Sequence, residues 1–308
     1  MNTSILSNQI KAKAFEIGFS KIGIAKADYY NQDKERLDYW IDNNFHGSMN
    51  WIKNRKEERS NIYKYYPNAK SIISVAINYF TGYSADYFSK HKISNYAWGD
   101  DYHITIKTKL IELLDYIKNL NEKINGICCV DTSPISEKVW AQRAGIGWIG
   151  KHTNLITREF GSWIFLGEII LDTDLIYDKP FNDDLCGTCT ACIEACPTDA
   201  IISDYQIDSN KCISYLTIEH RDNISSEFLN KMDDWIYGCD ICQEVCPWSQ
   251  KFSVLSNNES FKPREFLIKN DSNYLYNLSN DEYLNLFKNS AMKRSKHKGL
   301  KRNIDFIS

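Results

Sequence analysis

Two short cysteine runs in the second half of the chain constrain its fold more than any other feature. The first run has the spacing C-x2-C-x2-C-x3-C-P. The second, C-x2-C-x3-C-P, is one cysteine short, and a single cysteine stands between the two runs. This spacing is typical of a double-cluster iron–sulfur segment, in which three closely spaced thiolates bind one [4Fe–4S] cluster and the fourth crosses to the other. Such a segment folds around its metal ligands and needs little apolar core.

Applied to this chain, the pattern predicts four thiolate ligands for each of two clusters. The first-cluster cysteines are Cys186, Cys189, Cys192 and Cys246, and the second-cluster cysteines are Cys196, Cys212, Cys239 and Cys242. The main alternative is one cluster plus a zinc ion, although zinc knuckles are paired at longer separation and do not require a Cys-Pro pair. A disulfide framework is typical of short secreted chains, whereas this chain has 308 residues and no recognisable signal peptide.

Composition places the chain among ordinary globular proteins, with 43% hydrophobic and 25% charged residues. Its length allows one large or two medium domains. No apolar run approaches the roughly 18 residues that a membrane span needs, so we expect a cytoplasmic protein without a membrane partner, a monomer by default. The remaining cysteines, Cys128 and Cys129, lie in an apolar run and are predicted to be buried strand thiols.

Charge is distributed unevenly. The net charge is −3, yet the stretch Lys288–Arg302 has seven basic residues and no acidic one. A basic stretch on an otherwise acidic chain is typical of a protein that grips phosphates at one place. A solvated tail explains the charges equally well, so charge alone leaves both interpretations open.

Hydrophobic periodicity predicts a mixed α/β (α+β) protein in three blocks: residues 1–180, 181–250 with the ligand cysteines, and 251–308 ending in the basic stretch. Four apolar runs predict strands, at Ile22–Ala25, Ile72–Ile77, Ile127–Val130 and Trp163–Leu171. Three amphipathic segments predict helices, at Ser4–Ile17, Ile104–Leu120 and Ser136–Ala144.

Two further motifs each have a structural and a functional interpretation. Gly145-x-Gly147-x-x-Gly150 matches the dinucleotide fingerprint, but a predicted helix precedes it where a strand is required, so its glycines are expected to end a helix or let backbones approach closely. Asp131 and Pro134 follow the third predicted strand. They predict either a helix cap or an acid at the carboxyl end of a strand, where α/β folds carry their chemistry.

Several longer stretches resemble the epoxyqueuosine reductase family, over residues 15–302. The resemblance is carried by Asp131–His152, Gly161–Glu168, His46-Gly-x-Met49 with Arg59, Tyr96–His103, Cys212–Glu219 and Ile236–Trp248. This family groups with the reductive dehalogenases as enzymes that use cobalamin and two [4Fe–4S] clusters. Longer members continue into C-terminal helical repeats, and the chain is expected to be a short form without them.

The resemblance implies a cobalamin-binding catalytic α/β domain at 1–180, a ferredoxin-type domain at 181–250 and a tRNA-contacting segment at 251–308. It implies an oxidoreductase that reduces the epoxide of epoxyqueuosine in tRNA to queuosine, with Asp131 as the proton donor at a raised pKa. The implied cobalamin contacts are Arg59, Tyr96, Asp131, Lys151, His152, Asn154 and Leu166. His103 is expected to be structural, and no Asp-x-His-x-x-Gly motif supplies a histidine ligand to cobalt.

The resemblance also implies a tRNA partner and an external electron donor. The expected tRNA contacts are Thr217, Glu219, Lys293, Arg294, Lys298 and Arg302. A reductase of a small-molecule epoxide or halide is the alternative, and the basic stretch disfavours it because such an enzyme has no phosphate backbone to bind. An electron-transfer protein without catalysis is a third hypothesis, disfavoured by the large first block.

Overall fold

A computed structural model describes residues 2–82, 91–269 and 272–308. The strands are short except for two of eight residues: β1 Lys21–Lys26, β2 Ser71–Asn78, β3 Lys92–Ile93, β4 Gly126–Cys129, β5 Trp148–Ile149, β6 Leu155–Ile156, β7 Ile164–Leu171, β8 Ile201–Ser203, β9 Gln206–Ile207 and β10 Trp235–Tyr237. The helices are α1 Thr3–Ile17, α2 Asn31–Asp42, α3 Asn50–Asn54, α4 Lys56–Ser60, α5 Ile62–Tyr65, α6 Tyr102–Leu120, α7 Glu137–Arg143, α8 Ala191–Glu194, α9 Ile213–Ile218, α10 Ile241–Glu244, α11 Pro247–Phe252, α12 Glu265–Lys269, α13 Ser272–Asn277, α14 Asn280–Leu286 and α15 Lys296–Ile307.

The first block is built on a four-stranded sheet of order β1-β2-β7-β4, in which each neighbouring pair is antiparallel. These are the four strands predicted from apolar runs, and α1, α6 and α7 are the three predicted helices. The prediction succeeded here because both faces of the sheet are covered, so its strands read as nearly continuous apolar runs.

Helices cover the sheet on both faces. Alternate side chains of β2 divide between them: Ile73 packs with α1 and α6, and Ile72 packs with α7 on the opposite face. Cys129 of β4 is fully buried on the α7 face and Cys128 is buried on the other, as predicted for strand thiols. The sheet thereby holds the start of α7 and the end of β4 close together.

The second and third blocks pack on each other and on the first. Strand β10 pairs in parallel with β3, and α15 packs against β10 and α9. The C-terminal helices contribute Leu300 and Ile304 to one apolar cluster with Trp98 and Tyr237. The mixed fold is as predicted, and no described helix is long and apolar enough to cross a membrane.

The glycine-rich stretch after α7 ends that helix, as expected. Gly145 has φ +78°, and the N–H groups of Gly145 and Ile146 donate to the carbonyls of Gln142 and Ala141, the pattern of a Schellman cap. Gly147 instead allows a close approach, because a Cβ there would lie 2.0 Å from the carbonyl oxygen of Ile156. Strand β5 follows directly, so the context of a dinucleotide-binding site is absent from this described segment.

Candidate active site and cluster ligands

Asp131 lies two residues beyond the end of β4, at the carboxyl end of that strand. Its φ of +45° is unusual for a residue other than glycine, and strained backbone of this kind is often found at functional sites. The helix-cap alternative is wrong: α7 begins only at Glu137, and its N-cap, Ser136, makes no side-chain cap hydrogen bond. Instead, the backbone N–H of Asp131 donates to Oε1 of Glu137 over 2.5 Å.

The carboxylate of Asp131 is one end of a hydrogen-bonded chain of three side chains. Its Oδ2 lies 3.0 Å from Nε2 of His103, and Nδ1 of His103 lies 2.7 Å from Oδ1 of Asp101. Asp101 is the N-cap of α6 and also accepts the backbone N–H of His103. The imidazole is therefore held between two carboxylates by the first turn of a helix.

This arrangement puts the proton on the histidine. Burial alone would lower the pKa of His103, but hydrogen bonds to Asp101 and Asp131 and their negative charges raise it to about 9. Burial would raise the pKa of Asp131, yet hydrogen bonds from His103 and Tyr102 and the charges of His103 and Arg59 leave it lowered. The raised Asp131 pKa that we expect beside an apolar corrin stays a prediction; the protein's own donor and cationic groups around the carboxylate act in the opposite direction.

A second pair of acids lies beneath Asp131. Glu168 of β7 is fully buried, and burial first and the charge of Glu137 second raise its pKa well above the ordinary value. The pKa of Glu137 is raised to about 7, by burial and then by the charge of Asp131. Two carboxyl groups this close in a dry site share at least one proton at neutral pH.

Lys138 connects Asp131 with the cysteine segment. Its Nζ donates to the carbonyl of Thr153 and to Oδ1 of Asn154, at 3.1 and 2.9 Å. Burial lowers its pKa, whereas the charges of Cys242 and then of Glu137 and Asp131 act in the opposite direction. Lys138 and Asp131 both reach solvent, yet burial is the largest influence on their pKa values. We call the part of the surface that extends from Asp131 past Lys138 to the second-cluster cysteines the Asp131 recess.

The first-cluster cysteines surround a cavity of about 180 Å³, which all four of them line. The pKa of Cys192 is raised to about 11, first by burial and then by the nearby thiols, including those of the other three. Burial also raises the pKa of Cys186, while the backbone N–H of Lys151 and the indole N–H of Trp148 act to lower it. The four thiols and the volume between them fit a compact metal cluster. Cys189 is the exposed ligand of this set.

The second-cluster cysteines also lie together. The pKa of Cys242 is raised well above its ordinary value by burial, then by the charges of Cys212 and Asp240, with Cys196 contributing. The pKa of Cys239 is raised by burial and then by Cys242 and Cys212. Among the described residues, no three histidine, cysteine or acidic side chains converge to hold a single metal ion. A four-iron cluster does not require such convergence, because its thiolates bind different irons.

The expected cobalamin contacts fall into two groups. Arg59 packs over the ring of Trp51 at 5.0 Å, and its charge reaches both Asp131 and Glu137. The hydroxyl of Tyr96 lies 3.3 Å from that of Tyr237, and burial, with a contribution from Asp131, raises its pKa well above the ordinary value. Together with Asn154, which binds Lys138, and the half-buried Leu166 of β7 on the α7 face, they lie around the Asp131 recess.

Lys151 and His152 lie elsewhere, on the wall of the first-cluster cavity. The Nζ of Lys151 is paired with Asp204 at 3.0 Å, and only 3% of the surface of His152 is exposed. Burial and then the charge of Lys138 lower the pKa of His152 to about 4, so its ring is neutral. The resemblance implied cobalamin contacts for these residues because the segment Lys151–Asn154 lies in a family-like stretch, whereas the structure places Lys151 and His152 next to the cysteines.

Two of the expected tRNA contacts are engaged in the interior. Thr217 is fully buried, and its hydroxyl donates to the carbonyl of Ile213 and accepts the N–H of Gly238. All five N–H groups of Arg302 are used: they donate to the carbonyls of His220, Asp222 and Leu216 and to the side chain of Asn303. Both expectations are corrected, because Thr217 is out of reach of a tRNA and Arg302 has no N–H group left for a phosphate.

The other expected tRNA contacts are on the surface. Arg294 makes two 2.7 Å hydrogen bonds to the carboxylate of Glu219. That pairing raises the pKa of Arg294, and the charge of Asp131 contributes, so the pair lies at the rim of the Asp131 recess. Lys293 and Lys298 are exposed.

Comparison with known proteins agrees with this geometry. Residues 59–132 match the family model described as "Epoxyqueuosine reductase QueG, DUF1730", and residues 185–249 match a 4Fe-4S double cluster binding domain. The epoxyqueuosine reductase of Cellulophaga algicola is 44% identical over 302 residues, which cover 98% of this chain and 97% of that protein. The chain belongs to the epoxyqueuosine reductase family.

Solved structures extend the comparison to the fold. A crystal structure of epoxyqueuosine reductase with an epoxyqueuosine-modified tRNA-Tyr stem loop superposes with a TM-score of 0.88 at 30% identity, covering 97% of this chain and 80% of that one. A catabolic reductive dehalogenase shares the fold at a TM-score of 0.51 and 15% identity, over 99% of this chain and 40% of that one. The double-cluster match, together with the two cysteine groups, identifies the second block as an iron–sulfur segment for two [4Fe–4S] clusters and not one cluster plus zinc.

Sequence reasoning missed His103, Glu137 and Lys138 as site residues. His103 ends one of the family-like stretches and follows an N-cap aspartate, which was the available signal. Glu137 and Lys138 also lie in a family-like stretch, Asp131–His152, but polar residues in the first turn of a helix are common on solvated faces and gave no reason to single them out. Their roles emerge only when β4, β7 and α7 meet.

Proposed function

We propose that this protein reduces the epoxide of epoxyqueuosine in tRNA to the alkene of queuosine, in the last step of queuosine synthesis. The reaction consumes two electrons and two protons, breaks two C–O bonds and releases the oxygen as water. The observation that carries the proposal is the Asp131 recess: a carboxylate hydrogen-bonded to a protonated imidazole faces the cysteines of an iron–sulfur segment across Lys138. A proton source and an electron source thus meet in one cleft, in a chain 44% identical to a reductase of this family.

Two cofactor types are required. The first-cluster and second-cluster cysteines hold the two [4Fe–4S] clusters, which relay single electrons from an external donor. Cobalamin, the second cofactor, would supply a strongly reducing metal centre for the epoxide when bound. The observation that fits it is the buried Nε of Arg59, which has no partner among the described residues; we assign Tyr96, Asn154 and Leu166 to the same site. We do not assign Lys151 and His152 to cobalamin, because both line the first-cluster cavity.

Proton delivery is the role of Asp131 and His103. At neutral pH the proton resides on Nε2 of His103, 3.0 Å from Oδ2 of Asp131. Asp131 accepts that proton on Oδ2 and, after rotation of its carboxyl group away from His103, donates it from the same oxygen to the departing epoxide oxygen. An alkoxide is a poor leaving group, and a positioned acid accelerates such steps by about 10²–10⁴-fold. The hydrogen bond from the Asp131 N–H to Glu137 fixes the loop that carries the carboxylate.

The tRNA is held by charge at the rim of the recess. We assign phosphate contacts to Lys293 and Lys298, two exposed cations of the basic stretch, and the Arg294–Glu219 pair lies near Asp131. Phosphate contacts position the tRNA, and the modified base itself must enter the recess to be recognised.

The test is anaerobic turnover of an epoxyqueuosine-containing tRNA stem loop by protein with reconstituted clusters, with and without added cobalamin. We expect cobalamin-dependent formation of queuosine, which Asp131→Asn reduces by about 10²–10⁴-fold. Asp233→Asn is the matched control, because Asp233 has φ +46° and a side chain 49% exposed, against φ +45° and 53% for Asp131.

Two results would contradict the proposal. Equal loss in both aspartate variants would show that backbone strain, and not proton delivery, explains the effect. No conversion by protein with intact clusters and bound cobalamin would exclude the tRNA reaction and favour a small-molecule epoxide or halide as the substrate.

A further inference from the structure

His152 carries a buried N–H group that the proposed reaction does not use. The residue lies in the turn between β5 and β6, and its ring is 3% exposed. Nδ1 accepts the backbone N–H of Asn154 over 3.1 Å. A neutral imidazole that accepts at one nitrogen carries its proton on the other, so Nε2 is the donor.

That donor has no acceptor among the described residues. A buried N–H without a partner costs about 1–3 kcal/mol, and native proteins rarely leave one unpaired. His152 lines the cavity of about 180 Å³ that all four first-cluster cysteines bound. The acceptors that belong in this cavity are thiolate and sulfide sulfur atoms of the cluster.

The groups around His152 favour a hydrogen bond from its Nε2–H into the first-cluster cavity. The Nδ1 side of the ring is occupied by Asn154, and the Nζ of nearby Lys151 is already paired with Asp204 at 3.0 Å. The backbone N–H of Lys151 lowers the pKa of Cys186, and the buried indole N–H of Trp148, like that of His152, has no acceptor among the described residues. Donors therefore converge on this cavity from the segment 148–152.

We propose that the Nε2–H of His152 donates a hydrogen bond to a sulfur of the first cluster and raises the reduction potential of that cluster relative to the second. The physical reason is charge: reduction adds an electron to an anionic cluster, and a hydrogen bond to sulfur stabilises the more negative state. This inference rests on the cluster assignment of the proposed function and is independent of its tRNA substrate.

The placement gives the hydrogen bond a role in electron entry. Cys189 is the exposed ligand of the first cluster, whereas the second-cluster cysteines face Lys138 and the Asp131 recess. An external donor therefore meets the first cluster first. A raised potential there lets that cluster accept an electron from a donor that could not reduce the second cluster directly.

The experiment is a redox titration of the protein with both clusters reconstituted, followed by electron paramagnetic resonance. Cys189→Ser identifies which midpoint belongs to the first cluster. We expect His152→Phe, which keeps the ring volume but removes the donor, to lower that midpoint and leave the other unchanged. His152→Gln, whose amide N–H restores a donor, should recover at least part of the shift.

A second measurement uses the wild-type protein alone, so it does not depend on whether a variant still assembles its clusters. In the wild-type protein, the reduced first cluster should show a strongly coupled exchangeable proton in electron–nuclear double resonance spectra, lost after exchange into D2O. An unchanged first midpoint in His152→Phe, an equal shift of both midpoints, or no exchangeable proton at the first cluster would each overturn the proposal. Weakened cobalamin binding with unchanged midpoints would also overturn the proposal, and would indicate that His152 contacts cobalamin instead.

Failure of the proposed function is distinguishable from these outcomes, because no tRNA enters the experiment. A protein that shows the His152 effect but does not turn over epoxyqueuosine would still be a double-cluster reductase with a tuned entry cluster.

Discussion

At the residue scale, residues on three different segments decide whether a proton lies on His103 or on Asp131. Asp131 alone would be an ordinary exposed carboxylate after a strand, but His103 from α6 and Arg59 from α4 surround it with positive charge. The carboxylate is thereby kept ionised and the imidazole protonated. Under the proposed function, the acid expected from the sequence would be a pair of residues, with the proton held by His103 and delivered by Asp131.

The pH dependence of turnover tests this pair. Because the pKa of His103 is raised to about 9, kcat/KM should be level near neutral pH and fall above about pH 9, as the imidazole loses its proton. Asp101→Asn removes one of the two carboxylates that raise this pKa and should move the falling limb to lower pH. Asparagine is as good an N-cap as aspartate, so α6 should keep its first turn. An unmoved limb would show that another group titrates.

The buried acid pair predicts a pH effect on stability. Glu168 is ionised in the unfolded chain above its ordinary pKa of 4.5 but stays protonated in the folded protein. Folding therefore becomes less favourable as pH rises above that value, by up to about 1.4 kcal/mol per unit. Glu168→Gln, a neutral isostere, should gain at least about 1 kcal/mol relative to wild type between pH 5 and pH 8. Anaerobic thermal unfolding measures this, and Glu122→Gln, an exposed carboxylate, should show no such gain.

At the element scale, the turn between β5 and β6 connects the first cluster with the recess. The backbone at Gly147 passes close to the carbonyl of Ile156, which glycine permits because it has no Cβ. The turn that follows carries Lys151 and His152 to the cysteine cavity. The sequence indicated glycines at a helix end but could not reveal which strand they face. That information lies in the pairing of β5 with β6, which the short apolar segments there do not specify.

Two glycine substitutions should have opposite effects. Gly147→Ala would bring a Cβ to 2.0 Å from the carbonyl oxygen of Ile156, so we expect a loss of roughly 2 kcal/mol or more in stability and a lower iron content. Gly299→Ala in α15 meets only Cβ of Ser295 at 3.6 Å and should be neutral or stabilising by up to about 1 kcal/mol. Unfolding midpoints and iron analysis distinguish them, and a tolerated Gly147→Ala would contradict the proposed close approach.

Prediction from sequence worked best for features that depend on neighbouring residues or on a fixed ligand spacing. The four sheet strands, the three helices and both cysteine groups follow from periodicity and ligand spacing, which are local or self-complementary signals. The pKa of Asp131, the burial of Thr217 and the engagement of Arg302 depend on contacts between segments far apart in the chain. A basic residue in a charged stretch looks the same in sequence whether it faces solvent or caps carbonyls in the interior.

At the scale of the whole molecule, the basic stretch is divided between structure and surface. Arg302 ties α15 to the segment after α9, while Lys293 and Lys298 remain exposed. The remainder of the chain is acidic overall, so the exposed lysines of this stretch form a basic patch. Under the proposed function, such a patch would attract the tRNA backbone and bring the modified base toward the recess.

Salt dependence separates these roles. If Lys293 and Lys298 each neutralise one phosphate, replacing both with glutamine should reduce the slope of log K against log salt by about 1.5, with weaker binding at low salt and an almost unchanged kcat. The matched control replaces Lys118 and Lys123, two exposed lysines near the start of β4 and thus at its opposite end from Asp131, and should leave the slope as in wild type. Binding of the stem loop at several salt concentrations measures this. Equal slopes in all three proteins would mean that the tRNA backbone lies on a different surface, whereas a fall in kcat without a change in slope would mean that the lysines act on the recess itself.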